Sequence, residues 1–326
     1  QPRTLQVFLI IVLVLLTVCV LVKAFFLKAP EQKAAELPAQ SAASDTDSQQ
    51  SPEEQAAQEA LRSHLERKGG FYTILLSGLD DDNGGSDTNI LVAVDTVNGY
   101  VYGVSIPRDS KAIIGGKAHK INYAYNKGGT ELLADTVSEQ LGIPVDYTVS
   151  VNLKGFTALV DAIGGVDFDV PINMDYDDPI QNLSIHFKKG VQHLSGADAL
   201  RVVRFRHNND GSGYGSEDLG RMATQQKFLK AVAKKMLSAG NILTKIDDYA
   251  KIFNQYVDTN LTVGNLAWLG TEVLKMGVDK IDFSTLPNAW KYPYIYLDPT
   301  ETLTLVNTYL NPYVEDRTAD DLNIPG

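Results

Sequence analysis

From Phe71 onward, apolar runs of strand length alternate with longer runs that have helical spacing, and this alternation limits the folds open to the chain. The first two runs, FYTILLSG and TNILVAVDT, are rich in the β-branched and aromatic residues that favour strands. Asn98-Gly99 then supplies a turn into a third run, YVYGVSIP. The pattern predicts that the second and third runs pair as a β-hairpin.

Helical spacing recurs between the later strand-like runs. The expected helices cover residues 130–142, 153–165, 224–237, 242–256 and 263–276. DYTVSVN, VDFDV and KIDFSTL are the strand-like runs that separate them. This interspersed order predicts one α/β or α+β domain in which helices pack on a central sheet.

A second constraint lies near the N-terminus, where the 18 residues from Leu5 to Val22 carry no charge. As a helix, this run spans roughly 27 Å, close to the ~30 Å thickness of a bilayer core. We expect a retained membrane anchor. A cleaved signal peptide is the alternative, but the apolar stretch is long and no clear A-x-A site follows. Basic residues lie on both sides of the run, so the residues alone leave its orientation open.

The segment that follows is poor in large apolar residues. Between Leu27 and Leu61 only Leu37 is large and apolar, which predicts a linker rather than a core. Ser51 and Glu54 form a capping-box pattern, so a helix is expected from Pro52 to about Lys68. The expected organisation is an anchor at 1–28, a linker and stalk helix at 29–69, and the main domain at 70–326.

Arginines gather at VVRFRHNND, residues 202–210, although the formal net charge of the chain is −11. Residues two apart in a strand point to the same side, so we expect Arg204 and Arg206 to project together. Neighbouring guanidiniums suit an anion, and arginine matches phosphate oxygens bidentately. Arg221, where a helix begins, would add a third donor. The alternative is an exposed strand face with inert arginines.

Carboxylates follow the first strand-like run, in SGLDDDNGGSDT. Carboxylates are tolerated beside an anionic ligand when a divalent cation bridges them, and Mg²⁺ commonly takes one or two carboxylates plus phosphate oxygens. The arginines and carboxylates together therefore favour a magnesium pyrophosphate ligand, with a solvated acidic turn as the alternative. The overall acidity argues against nucleic acid as a partner.

The order of these motifs resembles that of one family. SGLD, SDT, SIPRD, HKIN, GGVDFDV, LSGADALRVVRFRH and DLGR..TQQ follow one another over roughly residues 70–315, as in the LytR-CpsA-Psr proteins of Gram-positive cell envelopes. The resemblance implies an α/β domain with a mixed central β-sheet packed by helices on both faces. It also implies an extracytoplasmic domain held at the cell membrane by one N-terminal transmembrane helix.

The activity implied by the resemblance is transfer of a glycopolymer from a polyprenyl-pyrophosphate carrier to peptidoglycan through a phosphodiester. The glycopolymer would be a teichoic acid or a capsular polysaccharide, and Mg²⁺ or Mn²⁺ would assist. By the same resemblance, the metal ligands would be Asp80 and Asp87. The groups binding the pyrophosphate lipid would be Arg108, Lys120, Arg204, Arg206, Asp218, Arg221 and Gln225. The catalytic residues would be Asp87, Arg108, Asp109, Arg206 and Arg221.

The chain departs from the family pattern at two positions. Gly85 stands where an arginine usually precedes SDT, and Thr224 stands where the DLGR motif usually continues with a second arginine. Two positive charges are therefore missing near the expected pyrophosphate. This leaves open a protein that binds polyprenyl phosphates without transfer, or one that hydrolyses the pyrophosphate.

Overall fold

A computed structural model of the chain describes residues 27–33, 64–79, 85–180, 183–215, 217–236, 251–252 and 255–326. Within these residues the strands are β1 (Phe71–Leu79), β2 (Ser86–Asp95), β3 (Tyr100–Ile106), β4 (Lys111–Ile114), β5 (Lys117–Lys120), β6 (Tyr147–Asn152), β7 (Val166–Val170), β8 (Met174–Asp178), β9 (Leu183–Phe187), β10 (Gly190–Leu194), β11 (Val257–Thr259), β12 (Ile281–Thr285), β13 (Asn288–Lys291) and β14 (Tyr294–Leu297). The α-helices are α1 (Asn122–Leu141), α2 (Leu153–Ala162), α3 (Gly196–Arg204), α4 (Glu217–Met236), α5 (Val263–Met276) and α6 (Pro299–Leu305).

A six-stranded mixed sheet forms the centre of the domain, in the order β11-β6-β1-β2-β3-β12. β1, β2 and β3 pair antiparallel, and the turn between β2 and β3 contains Asn98-Gly99 as predicted. β6 joins β1 and β12 joins β3 in parallel. Because a parallel pairing requires the chain to cross back, α1 precedes β6 and α5 precedes β12.

Side chains on the two faces of the sheet belong to separate apolar cores. On one face, Leu75 and Leu91 belong to a cluster that includes Val137 of α1. On the other, Ile74 of β1 belongs to a cluster that includes Leu269 of α5. Neighbouring residues of one strand point to opposite faces, so both faces are buried beneath helices. The predicted mixed sheet with helices on both faces is confirmed.

A third core lies beside the sheet and is built from β7 to β10 with α2 and α3. Val160, Ile185 and Phe205 are buried in it. α4 links this core to the sheet, because its Phe228 is buried in the third core while the adjacent Leu229 packs on the sheet cluster. α4 is therefore placed by two apolar cores at once.

The region of Arg204 is helical, which makes the prediction of an extended strand there wrong. Ser195 caps α3 by accepting a hydrogen bond from the backbone N–H of Asp198, and the helix continues to Arg204. Only from Phe205 is the backbone extended. Arg204 ends a helix and Arg206 follows it, so the alternation of side chains in a strand does not apply to this pair.

The N-terminal predictions fall mainly outside the described residues. The apolar run from Leu5 to Val22 lies there, and within the described parts of the chain no helix is long and apolar enough to cross a membrane. The expected stalk helix is described only from His64, and it does not extend to Lys68. Arg67 instead forms a β-bridge with Tyr313, and its guanidinium bonds to the buried Asp146 at 2.8 Å.

Candidate functional site

A cleft lies at the edge of the sheet where β2 begins and β3 ends. Asn89 pairs with Ile106 in the register of these two strands, so their polar flanking residues meet at this edge. α4 forms another wall. The lining residues are Asp87, Thr88, Asn89, Ser105, Ile106, Pro107, Arg108, Asp109, Arg221, Met222, Gln225 and Ile295.

A chain of ion pairs runs along one wall of the cleft. The Arg108 guanidinium donates a hydrogen bond to Asp87 from its Nη1 atom. Its Nε atom lies 3.8 Å from the Asp109 carboxylate, which also accepts a contact of 3.0 Å from Lys120 Nζ. Asp87, Arg108 and Asp109 line the cleft, and Lys120 pairs with Asp109 from outside the lining. The charges of these four predicted residues therefore alternate, and each carboxylate has a cationic neighbour.

Arg221 and Gln225 come to the same cleft from α4. They are four residues apart, so one helical face presents both. Arg221 is only 9% exposed. Gln225 donates from Nε2 to the Val203 carbonyl at 3.1 Å, which fixes its amide.

Gln226 fastens α4 to the end of the sheet. Its Nε2 atom lies 2.9 Å from Ser105 Oγ, 2.7 Å from the Ser284 carbonyl and 3.1 Å from Thr285 Oγ1. These partners belong to β3 and β12. One amide therefore sets where the cleft-lining residues of α4 stand relative to β3.

The remaining predicted residues either do not line this cleft or have side chains outside the described part of the structure. Arg204 and Arg206 do not line it, and their role in binding pyrophosphate stays a prediction. Asp80 lies outside the described residues, and for Asp218 the structure describes the backbone in α4 alone. Among the described residues no three His, Cys, Asp or Glu side chains group as ligands of a metal ion.

Both departures from the family pattern have a local structural reason. Gly85 has a φ of +136°, a conformation that side chains rarely adopt, and an added Cβ would lie 3.2 Å from Asn126 Oδ1. Thr224 is buried, and its hydroxyl lies 2.9 Å from both the Tyr214 hydroxyl and the Gly220 carbonyl. Burial also raises the pKa of Tyr214. A neutral, hydrogen-bonded cluster occupies the place of the second arginine.

Seven of the twelve lining residues were not among the predicted site residues: Thr88, Asn89, Ser105, Ile106, Pro107, Met222 and Ile295. Asn89 had a signal in the sequence, because it lies two residues after Asp87 at the start of a strand and so points to the same side. Ser105 lies near the end of the third strand-like run, three residues before the predicted Arg108. Ile295 had no such signal, since it reaches the cleft through a β-bridge to Ser110, almost two hundred residues earlier.

The fold and the cleft together define a class: an α/β protein whose mixed sheet ends in a cleft lined by arginines and aspartates. Known proteins are similar to this chain in fold and in sequence. The polyisoprenyl-teichoic acid–peptidoglycan teichoic acid transferase TagV of Bacillus subtilis is 37% identical over 202 residues, 59% of this chain and 50% of that protein. The corresponding transferase TagU of Bacillus cereus is 38% identical over 195 residues, 58% of this chain and 60% of that protein.

The chain is also similar to a solved structure of this kind of protein. The crystal structure of B. subtilis TagV superposes with a TM-score of 0.62 at 32% identity, covering 74% of this chain and 96% of that chain. The LytR_cpsA_psr family profile matches residues 35–310, and the chain belongs to this family. The matched region spans 50% to 60% of the two curated relatives.

Proposed function

We propose that this protein transfers a glycopolymer of the teichoic acid type from a polyprenyl-pyrophosphate carrier to peptidoglycan. Membership of the family and the names of the relatives TagV and TagU support this activity. The observation that carries the proposal is the cleft in which Arg108 and Arg221 meet Asp87 and Asp109. These groups suit the binding and cleavage of a pyrophosphate.

In the proposed complex the arginines bind the two phosphates. Each guanidinium offers five N–H donors in a planar fork, which matches phosphate oxygens. Arg108 exchanges its bond to Asp87 for phosphate oxygens when the ligand enters. Arg221 is largely buried, so its charge is weakly screened and acts strongly on negative charge that develops during the reaction.

The proposed reaction is an attack by a sugar hydroxyl on phosphorus. The acceptor oxygen bonds to the phosphorus that carries the glycopolymer, and the bond from that phosphorus to the bridging oxygen breaks. Polyprenyl phosphate leaves with the bridging oxygen and a phosphodiester remains. Asp109, whose carboxylate is held by Lys120 at 3.0 Å, accepts the proton of the hydroxyl. Arg108 and Arg221 stabilise the charge on the leaving phosphate.

A divalent cation, Mg²⁺ or Mn²⁺, is part of the proposal. Asp87 is the described carboxylate that fits it, because its side chain is 41% exposed at the cleft wall and becomes available when Arg108 turns to phosphate. One carboxylate with phosphate oxygens and water is a common ligand set for magnesium. Asp80 is proposed as a second ligand. The ion would neutralise charge on the pyrophosphate.

The proposed location is the outer face of the cell membrane. The uncharged run from Leu5 to Val22 is long enough to anchor the chain by a single span. This position would give the domain access to a lipid-linked donor and to peptidoglycan.

The test is a transfer assay with the full chain in detergent. The protein is incubated with a polyprenyl-pyrophosphate disaccharide, Mg²⁺ and peptidoglycan oligomers, and products are identified by mass spectrometry. The proposal expects oligomers that carry a glycosyl phosphate, and release of one polyprenyl phosphate per transfer. An EDTA-treated sample should lose this product and regain it with added Mg²⁺.

Two other outcomes would contradict transfer. Sugar phosphate released to water with no modified oligomer would assign a pyrophosphate hydrolase. Donor bound but unchanged, under conditions in which B. subtilis TagV forms product, would assign a lipid-binding protein. Gly85 and Thr224 are the residues that make these outcomes worth testing.

A further inference from the structure

Two small hairpins lie side by side next to the cleft. β4–β5 and β13–β14 are joined where Ser110 bridges to Ile295, and the Ile295 backbone N–H donates to the Asp109 carbonyl at 2.9 Å. The Tyr294 hydroxyl donates to the Ala118 carbonyl at 3.3 Å. Since Ile295 also lines the cleft, the surface of these hairpins is continuous with the candidate site. We call residues 111–127 and 288–296 the hairpin face.

The hairpin face exposes aromatic rings to solvent. Trp290 is 60% exposed near the end of β13, and Tyr292 is 86% exposed in the turn that follows it. At the other hairpin, His119 and the exposed Tyr123 stack with ring centroids 4.1 Å apart. Large aromatic side chains that are exposed as a group commonly mark a binding surface.

The same face is basic, in contrast to the rest of the chain. No acidic residue occurs at 110–130 or at 283–297, while these segments contain Lys111, Lys117, Lys120, Lys127 and Lys291. Of these, Lys120 pairs with Asp109 and Lys111 donates to the Gly326 oxygen. The whole chain has a formal net charge of −11. Lys111 and Lys291 lie 5.0 Å and 5.8 Å from the centre of the Tyr296 ring, so cations and aromatic rings are interleaved. A face of this kind suits a ligand that is both anionic and rich in flat, partly apolar rings.

We propose that the hairpin face binds the polyanionic glycan chain of the substrate, a sugar polymer joined by phosphodiesters. Sugar rings stack on Trp290 and Tyr292, and the lysines pair with the phosphates along the chain. This inference rests on the proposed function and adds a polymer-binding subsite outside the pyrophosphate cleft. Its continuity with the cleft through Ile295 lets one chain occupy both.

An anionic membrane is the competing occupant, and the composition of the face disfavours it. Membrane-surface segments insert a broad apolar face of aliphatic and aromatic residues beside their cations. Within these hairpins the exposed large aliphatic side chain is Ile113, at 42%, and it lies on β4 rather than between the two exposed rings of the other hairpin. Isolated rings separated by a lysine fit a saccharide chain better.

The test uses the small number of tryptophans. The chain has 2, Trp268 and Trp290, so the variant Trp268→Phe leaves Trp290 as the sole tryptophan reporter on the face. In this background, soluble poly(ribitol phosphate) teichoic acid without lipid is titrated while Trp290 emission is followed. We expect saturable binding that weakens with salt, and about tenfold weaker affinity in Tyr292→Ala and in Lys291→Ala. Lys275→Ala, an exposed lysine on α5, is the matched control and should bind normally.

The transfer assay separates this inference from the proposed function. Tyr292→Ala should transfer a single disaccharide at the normal rate but lose about tenfold in kcat/KM with a long polymeric donor. Loss of both would mean that the cleft itself is damaged. Unchanged polymer affinity in both hairpin variants overturns the inference. Binding of phosphatidylcholine–phosphatidylglycerol vesicles through Trp290 without binding of soluble polymer also overturns it, in favour of a membrane contact.

Discussion

At the scale of single residues, the Arg108 side chain lies between two carboxylates. Its guanidinium bonds to Asp87 and lies 3.8 Å from Asp109, so the wall of the cleft is electrostatically balanced before any ligand enters. In the proposed complex, a phosphate that takes over the guanidinium would release Asp87 for a cation. Anion binding and cation binding would then be coupled in one exchange.

The first prediction concerns this arginine. Arg108→Ala removes charge-assisted hydrogen bonds worth about 1.5–3 kcal/mol, so affinity for a polyprenyl pyrophosphate should fall roughly 10- to 150-fold. Arg108→Lys should restore only part of it, because lysine lacks the planar fork. Isothermal titration measures both. Arg201→Ala is the control, since Arg201 is exposed on α3 and pairs with Asp198 at 2.9 Å. Equal affinity in Arg108→Ala and the control would remove Arg108 from the site.

The second prediction concerns the position of the missing arginine. Thr224→Val should destabilise the fold by about 1 kcal/mol, because it deletes the hydroxyl that bonds to Tyr214 and Gly220. Thr224→Arg should cost more than about 3 kcal/mol, since it forces a charge into a buried site. Urea denaturation measures both. A stable Thr224→Arg protein with stronger pyrophosphate binding would show instead that this position faces the ligand.

At the scale of elements, the position of α4 decides the shape of the cleft. The helix carries Arg221 and Gln225 into the cleft, and Gln226 bonds to groups of β3 and β12. Its apolar residues pack in two different cores. A helix held from three sides gives Arg221 a fixed position, which is what recognition of a phosphate requires.

The third prediction tests this attachment. Gln226→Ala leaves the Ser284 carbonyl and its neighbours without their donor, so the free energy of unfolding should fall by about 1–3 kcal/mol. Pyrophosphate affinity should fall as well, because Arg221 loses its fixed position. Lys227→Ala, the exposed next residue on the same helix, should change neither quantity. Lost stability with normal affinity would limit Gln226 to a structural role.

A comparison of the predicted and observed helices and strands shows which elements a sequence pattern can identify. β1, β2, β6 and α5 were predicted because their long apolar or amphipathic runs are decided locally. α3 was mistaken for a strand, since its RVVRF stretch contains two adjacent valines while its helix signals, Ser195 and Asp198, lie six and three residues before that stretch. β4–β5 and β13–β14 were missed because strands of four residues depend on pairing partners elsewhere. The cleft was predicted in its Asp87–Arg108–Asp109 wall, which motifs encode, and missed at Ile295, which only tertiary pairing places there.

At the scale of the whole molecule, the segment before β1 is latched to the end of the chain. His64 lies 3.0 Å from Asp321 through Nε2 and 3.2 Å from Glu315 through Nδ1, and its carbonyl accepts a hydrogen bond from Arg317. Arg67 adds a second attachment through Asp146 and the bridge to Tyr313. The segment that leads into β1 is thus fixed by contacts with residues 79 to 257 positions further along the chain.

The fourth prediction concerns the positive charge of His64 beside the carboxylates of Asp321 and Glu315. Hydrogen bonds to Asp321 and then to Glu315 raise the pKa of His64, against smaller opposing effects of burial and of Arg317. Because the folded-state pKa lies above the unfolded value of about 6.5, the contribution to stability is complete below that pH and is lost as pH rises through the folded pKa. Wild type should therefore exceed His64→Gln in unfolding free energy at pH 5.5, by up to about 1 kcal/mol, and by less at pH 9. His119→Gln, which removes a ring stacked on Tyr123 and leaves the contacts of His64 intact, is the control for replacing a histidine. If the difference in unfolding free energy between wild type and His64→Gln increased with pH, His64 would stabilise the fold as a neutral ring. The prediction of a charged His64 would then be wrong.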